Sequence, residues 1–122
     1  MSNPTITVVL SSLVEGTVPT VTGSIEAKEG EQIYVRVTWP STATDKITCD
    51  LDFSNSDNQD PFNDIESGDT TLNMIRPASD QPAVNTLLVE NDASVTTDSY
   101  DLVLTIDGIT YTKDPSIVIK PS

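Results

Sequence analysis

Ser99-Tyr-Asp-Leu-Val-Leu-Thr-Ile-Asp-Gly-Ile-Thr-Tyr-Thr-Lys-Asp-Pro-Ser-Ile-Val-Ile119 is the stretch that decides the fold. Tyr100, Leu102, Leu104 and Ile106 alternate with Ser99, Asp101, Val103 and Thr105. A period of two marks a strand with one buried face. Asp107-Gly108 follows, and this pair suits a type I′ turn, which needs positive φ at both central residues. A two-residue turn sets Ile106 opposite Ile109 and Leu104 opposite Tyr111, and the return strand ends in Ile117-Val118-Ile119. Carried onward, that register gives Lys113 and Pro115 the core parity. Either the lysine runs out to the rim, or a bulge at Lys113-Asp114-Pro115 resets the register. Pro115 would also blunt an edge strand against unwanted pairing.

The same alternation recurs upstream. Ile6, Val8 and Leu10 share one face of a first strand, Thr5 to Leu10. Val18 to Ile25 reads as a weaker strand, interrupted by Pro19 and Gly23 and so placed at a sheet edge. Ala27 to Glu31 reads as a polar turn. Gln32 to Trp39 is a strong strand with Ile33, Val35, Val37 and Trp39 inward and Gln32, Tyr34, Arg36 and Thr38 outward. Pro40 ends it, and after a short loop Lys46 to Ser54 repeats the pattern with Ile47, Cys49, Leu51 and Phe53 inward. These two strands lie antiparallel or cross between sheets. Thr70 to Arg76 puts Leu72 and Met74 on one parity, while Leu87-Leu88-Val89 leaves the facing of Ala83 to Glu90 open.

Short strands with turn signals every eight to twelve residues, and no helical period, predict an all-β fold. The expected architecture is an antiparallel two-sheet β-sandwich of about eight strands, with at most one short helical turn. The 122 residues suit a single domain spanning 1–122. No internal repeat or low-complexity tract interrupts it.

Thr97-Asp98-Ser99-Tyr100-Asp101-Leu102 resembles the corner before the penultimate strand of immunoglobulin-like domains. The resemblance implies that Tyr100 hydrogen-bonds back to the preceding corner and that Leu102 takes the place of the family's second core cysteine. The hairpin after it is similar to the last two strands of such a domain. The likeness covers roughly a fifth of the chain, lacks the Cys-Cys pair, and has its tryptophan on an earlier strand. It implies an architecture and carries no function, because sandwiches host many roles.

Composition excludes more than it assigns. Nineteen acidic residues against six basic ones give a net charge of −13. Such a surface repels phosphate backbones and anionic lipid, so neither nucleic acid nor membrane is an expected partner. Histidine is absent, which removes Ser-His-Asp and Cys-His chemistry and His-ligated zinc. Cys49 is the sole cysteine; it precludes an internal disulfide and, on its strand's apolar parity, reads as a small buried hydrophobe. Met-Ser-Asn-Pro has neither the charged nor the apolar region of a signal peptide. The expected location is cytoplasmic, although a mature secreted domain would begin in the same way.

One segment carries chemistry: Asn55 to Asp69, dense in Asp and Asn, with Phe62 and Ile65 as its apolar anchors. Calcium takes six to eight oxygens, including several carboxylates on flexible backbone. Asp57, Asp60, Asp64, Glu66 and Asp69 supply candidates, helped by Asn55, Asn58 and Asn63, with Asp50 and Asp52 leaving the preceding strand on its wet face. The order does not fit an EF-hand, because Asp60 stands where glycine is required. Asn63-Asp64-Ile65-Glu66-Ser67-Gly68 resembles the calcium motif of βγ-crystallins, departing from it at Gly68. The plain alternative is a solvated loop of Asx turns.

An enzyme built from this chain would have to work with carboxylates alone, as glycosidases do, and no catalytic residue stands out. Tyr34 and Arg36 on a wet face are residue types favoured in interfaces; a cross-strand pair of Arg36 with Asp50 or Asp52 would also account for them. The leading expectation is therefore a non-catalytic interaction or structural module, with no required cofactor, that binds a protein partner or itself through a sheet edge or the 55–69 loop. A calcium-dependent module with a carbohydrate or protein ligand comes next, and a carboxylate-based hydrolase after it.

Overall fold

Burial follows the alternation. A computed structural model describes residues 4–22, 25–40, 46–53, 62, 69–77, 81–89 and 97–120. Its strands are β1 (Thr5–Val9), β2 (Thr20–Val21), β3 (Ile25–Lys28), β4 (Gln32–Thr38), β5 (Lys46–Asp52), β6 (Asp69–Ile75), β7 (Ala83–Leu88), β8 (Thr97–Ser99), β9 (Asp101–Ile106), β10 (Ile109–Lys113) and β11 (Ser116–Lys120). Among the described residues there is no helix. Sheet I has the order β2-β1-β4-β7, sheet II β10-β9-β5-β6 and sheet III β3-β11-β8. The protein is an all-β sandwich. Inward side chains of β4 (Ile33, Val35, Val37), β5 (Ile47, Cys49, Leu51) and β9 (Leu102, Leu104, Ile106) meet in one core.

The finer layout departs from a purely antiparallel pair of sheets. β1 runs parallel to β4, and β3 runs parallel to β11. The N-terminal segment is thus shared: β1 and β2 join sheet I, and the chain then crosses to sheet III. Ala27, read from sequence as part of a turn, is fully buried in β3 opposite Ile119. The turn itself is shorter. Gly30 takes it at φ 78°, and the Lys28 amide donates to Glu31 Oε1 at 3.0 Å. β4 and β5 do not pair; β4 lies in sheet I and β5 in sheet II.

The hairpin forms as its sequence predicts. Asp107 and Gly108 have φ of 50° and 82°, and Ile106 faces Ile109 and Leu104 faces Tyr111. There is no bulge at Lys113 to Pro115. Lys113 lies opposite Leu102 and Ser116 opposite Ser99, an advance of three residues on each strand, so nothing is inserted. Lys113 keeps the core parity but reaches solvent at the rim. The ladder is nevertheless interrupted, which separates sheet III from sheet II. The Tyr100 amide donates to the Pro115 carbonyl at 3.0 Å, and the return bond would need an N–H that proline lacks. A strand residue directs its nitrogen and its carbonyl to the same side. The missing donor of Pro115 therefore faces its hairpin partner, and this proline does not blunt a free edge.

Two side chains tie the layers together. Arg76, buried on the inward parity of Leu72 and Met74, lies 4.7 Å over the Trp39 ring and donates from Nη1 to the Trp39 carbonyl at 3.2 Å. Asn85 of β7 donates from Nδ2 to the Asn73 carbonyl of β6 at 3.4 Å and accepts from the Thr86 amide at 2.9 Å. It thereby links the edge strands of sheets I and II, and each edge has fewer open groups for an invading strand.

Candidate functional site

Of the proposed calcium ligands, Asp69 alone lies among the described residues. Asp57, Asp60, Asp64 and Glu66 lie outside them, as do Asn55, Asn58, Asn63, Ile65 and the crystallin-like motif of 63–68. Phe62 is described and does anchor: it is buried, with its ring edge-on to Phe53 at 6.0 Å.

Asp69 begins β6, and its register has a consequence that spacing along the chain does not reveal. Asp69 stands opposite Asp52 of β5, and Asp52 stands opposite Asp101 of β9. The unbroken hairpin register leaves Asp114 opposite Asp101. Aspartates thus stand in register on β6, β5 and β9 at one end of sheet II. The next row is Thr71, Asp50, Val103 and Thr112, with Thr71 Oγ1 donating to Asp50 Oδ1 at 2.9 Å. Beyond it come Asn73, Thr48, Thr105 and Thr110. This outer face is acidic at one end and hydroxyl-rich along the rest. Among the described residues no three acidic or sulfur side chains group as a metal-holding set.

The opposite outer face, on sheet I, has a different chemistry. β4 presents Gln32, Tyr34, Arg36 and Thr38 outward. β7 sets Leu88, Thr86 and Val84 beside the first three of these, and β1 sets Thr5, Thr7 and Val9 beside the last three. On β2, Thr20 lies opposite Val9. None of these outward positions is a carboxylate, and Arg36 is the sole charge among them. Val84 is 56% exposed, Leu88 58%, Val9 40% and Tyr34 37%. Apolar side chains this accessible, grouped around one Tyr-Arg pair, differ from singly scattered surface residues. The sequence pointed to Tyr34 and Arg36; Val84 and Leu88 were missed because the Leu-Leu-Val run hid which parity faced out. The structure answers that point. Leu87 and Val89 turn inward and Leu88 outward.

The expected pairing of Arg36 with Asp50 or Asp52 is not made. Arg36 is on the outer face of sheet I, and the two aspartates are on the outer face of sheet II, with the core between them. Cys49 is fully buried, as its parity requires; desolvation, and then the charge of Asp50, push its thiol up to about 12. A protonated, inaccessible thiol is no nucleophile near neutral pH. Tyr100 is buried and stacks on Phe53 at 4.9 Å. Burial raises its hydroxyl above the usual tyrosine range, with the Cys49 charge adding to the shift. The 90–96 segment, which a corner tyrosine would reach, lies outside the described residues. The tyrosine seen to tether a loop is Tyr111, whose hydroxyl donates to the Leu13 carbonyl at 2.8 Å.

No protein-family model matches the chain, and no curated protein sequence matches it either. Among the described residues, no helix is long and apolar enough to cross a membrane.

Proposed function

We propose that this chain is a non-catalytic interaction module that binds protein through the outer face of sheet I. One observation carries the reading: Tyr34, Val84 and Leu88 are exposed together around Arg36, and none of the described outward positions of sheet I is a carboxylate. Tyrosine and arginine are enriched in protein interfaces and acidic residues are depleted there, and this face has that composition in a chain that is otherwise strongly acidic. Immunoglobulin-like architecture suits the reading. Its support is the four-strand order of sheet II, the antiparallel pairing of β4 with β7, and an early strand, β3, running parallel to the last strand. The test is a photo-crosslinking residue placed at Tyr34 and, separately, at Thr48 on the opposite face. The expected result is a polypeptide adduct at Tyr34 that is lost when Val84 and Leu88 are both changed to serine, with none at Thr48. Adducts at Thr48 alone, or at neither site, overturn the assignment.

A calcium-dependent binding module is the second reading, and the acidic run Asp57 to Asp69, which leads into β6 opposite Asp52, favours it. Calcium takes several carboxylate oxygens on flexible backbone, and this run supplies Asp57, Asp60, Asp64, Glu66 and Asp69. A thermal melt in millimolar calcium, with magnesium as control, tests it. A ligand at about a hundred times its Kd adds about 2.7 kcal/mol, and a rise of several degrees that Asp52→Asn abolishes is the expected result. Equal melts with either metal reject it.

A further inference from the structure

We propose that the open edge of β10 takes an extended basic peptide, which adds to sheet II as a further strand. This surface is separate from the sheet I face, and the two readings stand or fall apart. The hairpin register fixes which backbone groups are available. A two-residue turn makes Ile106 and Ile109 a hydrogen-bonded pair, so Ile109, Tyr111 and Lys113 direct their N–H and C=O groups to β9. The Tyr100 amide on the Pro115 carbonyl keeps the same parity. Thr110 and Thr112 therefore direct theirs away from β9, to the edge of the sheet. Among the described residues nothing bonds to those groups. The edges of β6 and β7 differ, because Asn85 takes the Asn73 carbonyl and the Thr86 amide. The other edge strands, β2, β3 and β8, are two, four and three residues long. An open strand edge is a template for another strand, and its main-chain groups give an extended peptide its affinity.

The flanks of this edge select the peptide. On the inner side, the Tyr111 hydroxyl donates to the Leu13 carbonyl at 2.8 Å and holds the loop after β1 against the hairpin. Val14 follows Leu13, and a turn closed by the Thr17 amide on the Val14 carbonyl at 3.0 Å leads to Val18. Val14 is 68% exposed and Val18 59%. Two exposed valines on a tethered loop offer apolar contact to the inward side chains of an added strand, which alternate with its outward ones. Charge selects the outward set. Asp107 stands before β10 and Asp114 after it, both exposed, and Glu15 follows Val14 in the loop. Lys113 is the one cation of the strand, and the whole chain carries −13. These carboxylates favour a cationic segment. They disfavour a second copy of this chain, because β10 paired antiparallel with itself sets Asp107 of each copy near Asp114 of the other. The segment is thus apolar and β-branched on one parity and lysine- or arginine-rich on the other, over about the five residues of β10. A contact this short is weak, and salt weakens it further by screening the charges.

The probe is the peptide acetyl-Lys-Val-Thr-Val-Lys-Val-Lys-amide, titrated to about 2 mM into the isotope-labelled full chain and followed by amide NMR. The expected result is that the Thr110 and Thr112 amides shift and exchange more slowly with solvent. Two further probes carry N-methyl groups, one on its valines and the other on the remaining residues. A strand turns alternate N–H groups to each side, so one of these two loses binding at least about tenfold and the other keeps it. Glutamate in place of lysine leaves the spectrum unchanged. Val14→Ser with Val18→Ser weakens binding, whereas Ile75→Ser, at the far edge of sheet II and 60% exposed, leaves it at the parent's level. Thr112→Pro removes an N–H that bonds nothing in the fold and abolishes the shifts; circular dichroism checks its folding, and the N-methylated probes decide the matter without it. No shift up to about 2 mM overturns the proposal, as do shifts centred away from β10 or equal binding by both N-methylated probes. Shifts at Thr110 and Thr112 that grow with protein concentration alone make a second copy the occupant and overturn it as well.

Discussion

At the scale of single residues, Cys49 and Tyr111 show how burial sets chemistry. Cys49 lies in the core with its thiol pushed up to about 12 by desolvation first and by Asp50 second. In the unfolded chain a thiol releases its proton near pH 8.5. Between that pH and about 12 the unfolded state therefore holds fewer protons than the folded one, and stability falls as pH rises. The slope from this one group reaches about 1.4 kcal/mol per pH unit. Urea melts of the parent and Cys49→Ala are expected to differ by a constant amount below about pH 8, with the parent losing its advantage above about pH 9. A parent whose stability stays parallel to the variant's into the alkaline range would mean that the thiol ionises without unfolding. Tyr111 tests a tether instead. Removing its hydroxyl in Tyr111→Phe leaves the ring packed and frees the Leu13 carbonyl. A loss of about 1 kcal/mol is expected, with faster amide exchange confined to the β1–β2 loop. Unchanged exchange there would show that the hydrogen bond does not hold the loop.

At the scale of elements, local pattern and long-range pairing separate cleanly. The Asp107-Gly108 hairpin was legible because its turn needs two positive φ values and its flanks alternate without error. The inward sets of β4, β5 and β9 were legible for the same reason. Pairing between distant segments was not. Nothing in Ile25 to Lys28 announces a parallel partner at Ile117 to Lys120, and nothing in Asp52 announces Asp69 on one side and Asp101 on the other. The acidic candidates were thus found as a loop, while their cross-strand row emerged only with the register. Arg76 was missed although its parity with Leu72 and Met74 was a signal; an inward arginine asks for an aromatic face and a carbonyl, and Trp39 supplies both. Pro115 shows the reverse error, a residue noticed and given the wrong job. Its lost donor interrupts the ladder opposite Tyr100, so Pro115→Ala restores an N–H where a carbonyl waits. One added hydrogen bond and one more flexible unfolded chain oppose each other at similar size, each about 1 kcal/mol or less. The expected outcome is a nearly unchanged melt with a slowly exchanging new amide at position 115. Fast exchange there would mean that the two strands separate at this point for a reason other than proline.

At the scale of the whole molecule, charge distribution matters more than its sum. Among the described residues, one outer face has aspartates in register and the other has Arg36 as its one charge. Self-repulsion within a compact body lowers its stability, and three aspartates stand in register at one end of sheet II. Neighbouring strands are about 4.8 Å apart, well inside the Debye length of about 30 Å at 0.01 M salt and still inside that of about 10 Å at 0.1 M. Sodium chloride therefore weakens the long-range part of the repulsion first and the contact between neighbours last. The melting temperature is expected to rise by a few degrees between about 10 mM and about 300 mM salt. Asp52 stands between two aspartates, and each opposed like charge costs a few tenths of a kcal/mol. Asp52→Asn keeps an acceptor oxygen at the same reach while removing the charge. It is expected to flatten the salt dependence of the melt. Thr48→Asn, two rows away, is the matched control and should leave the slope alone. A slope that Asp52→Asn does not change would place the salt-sensitive repulsion outside this row, and the acidic end of sheet II would then carry no special electrostatic strain.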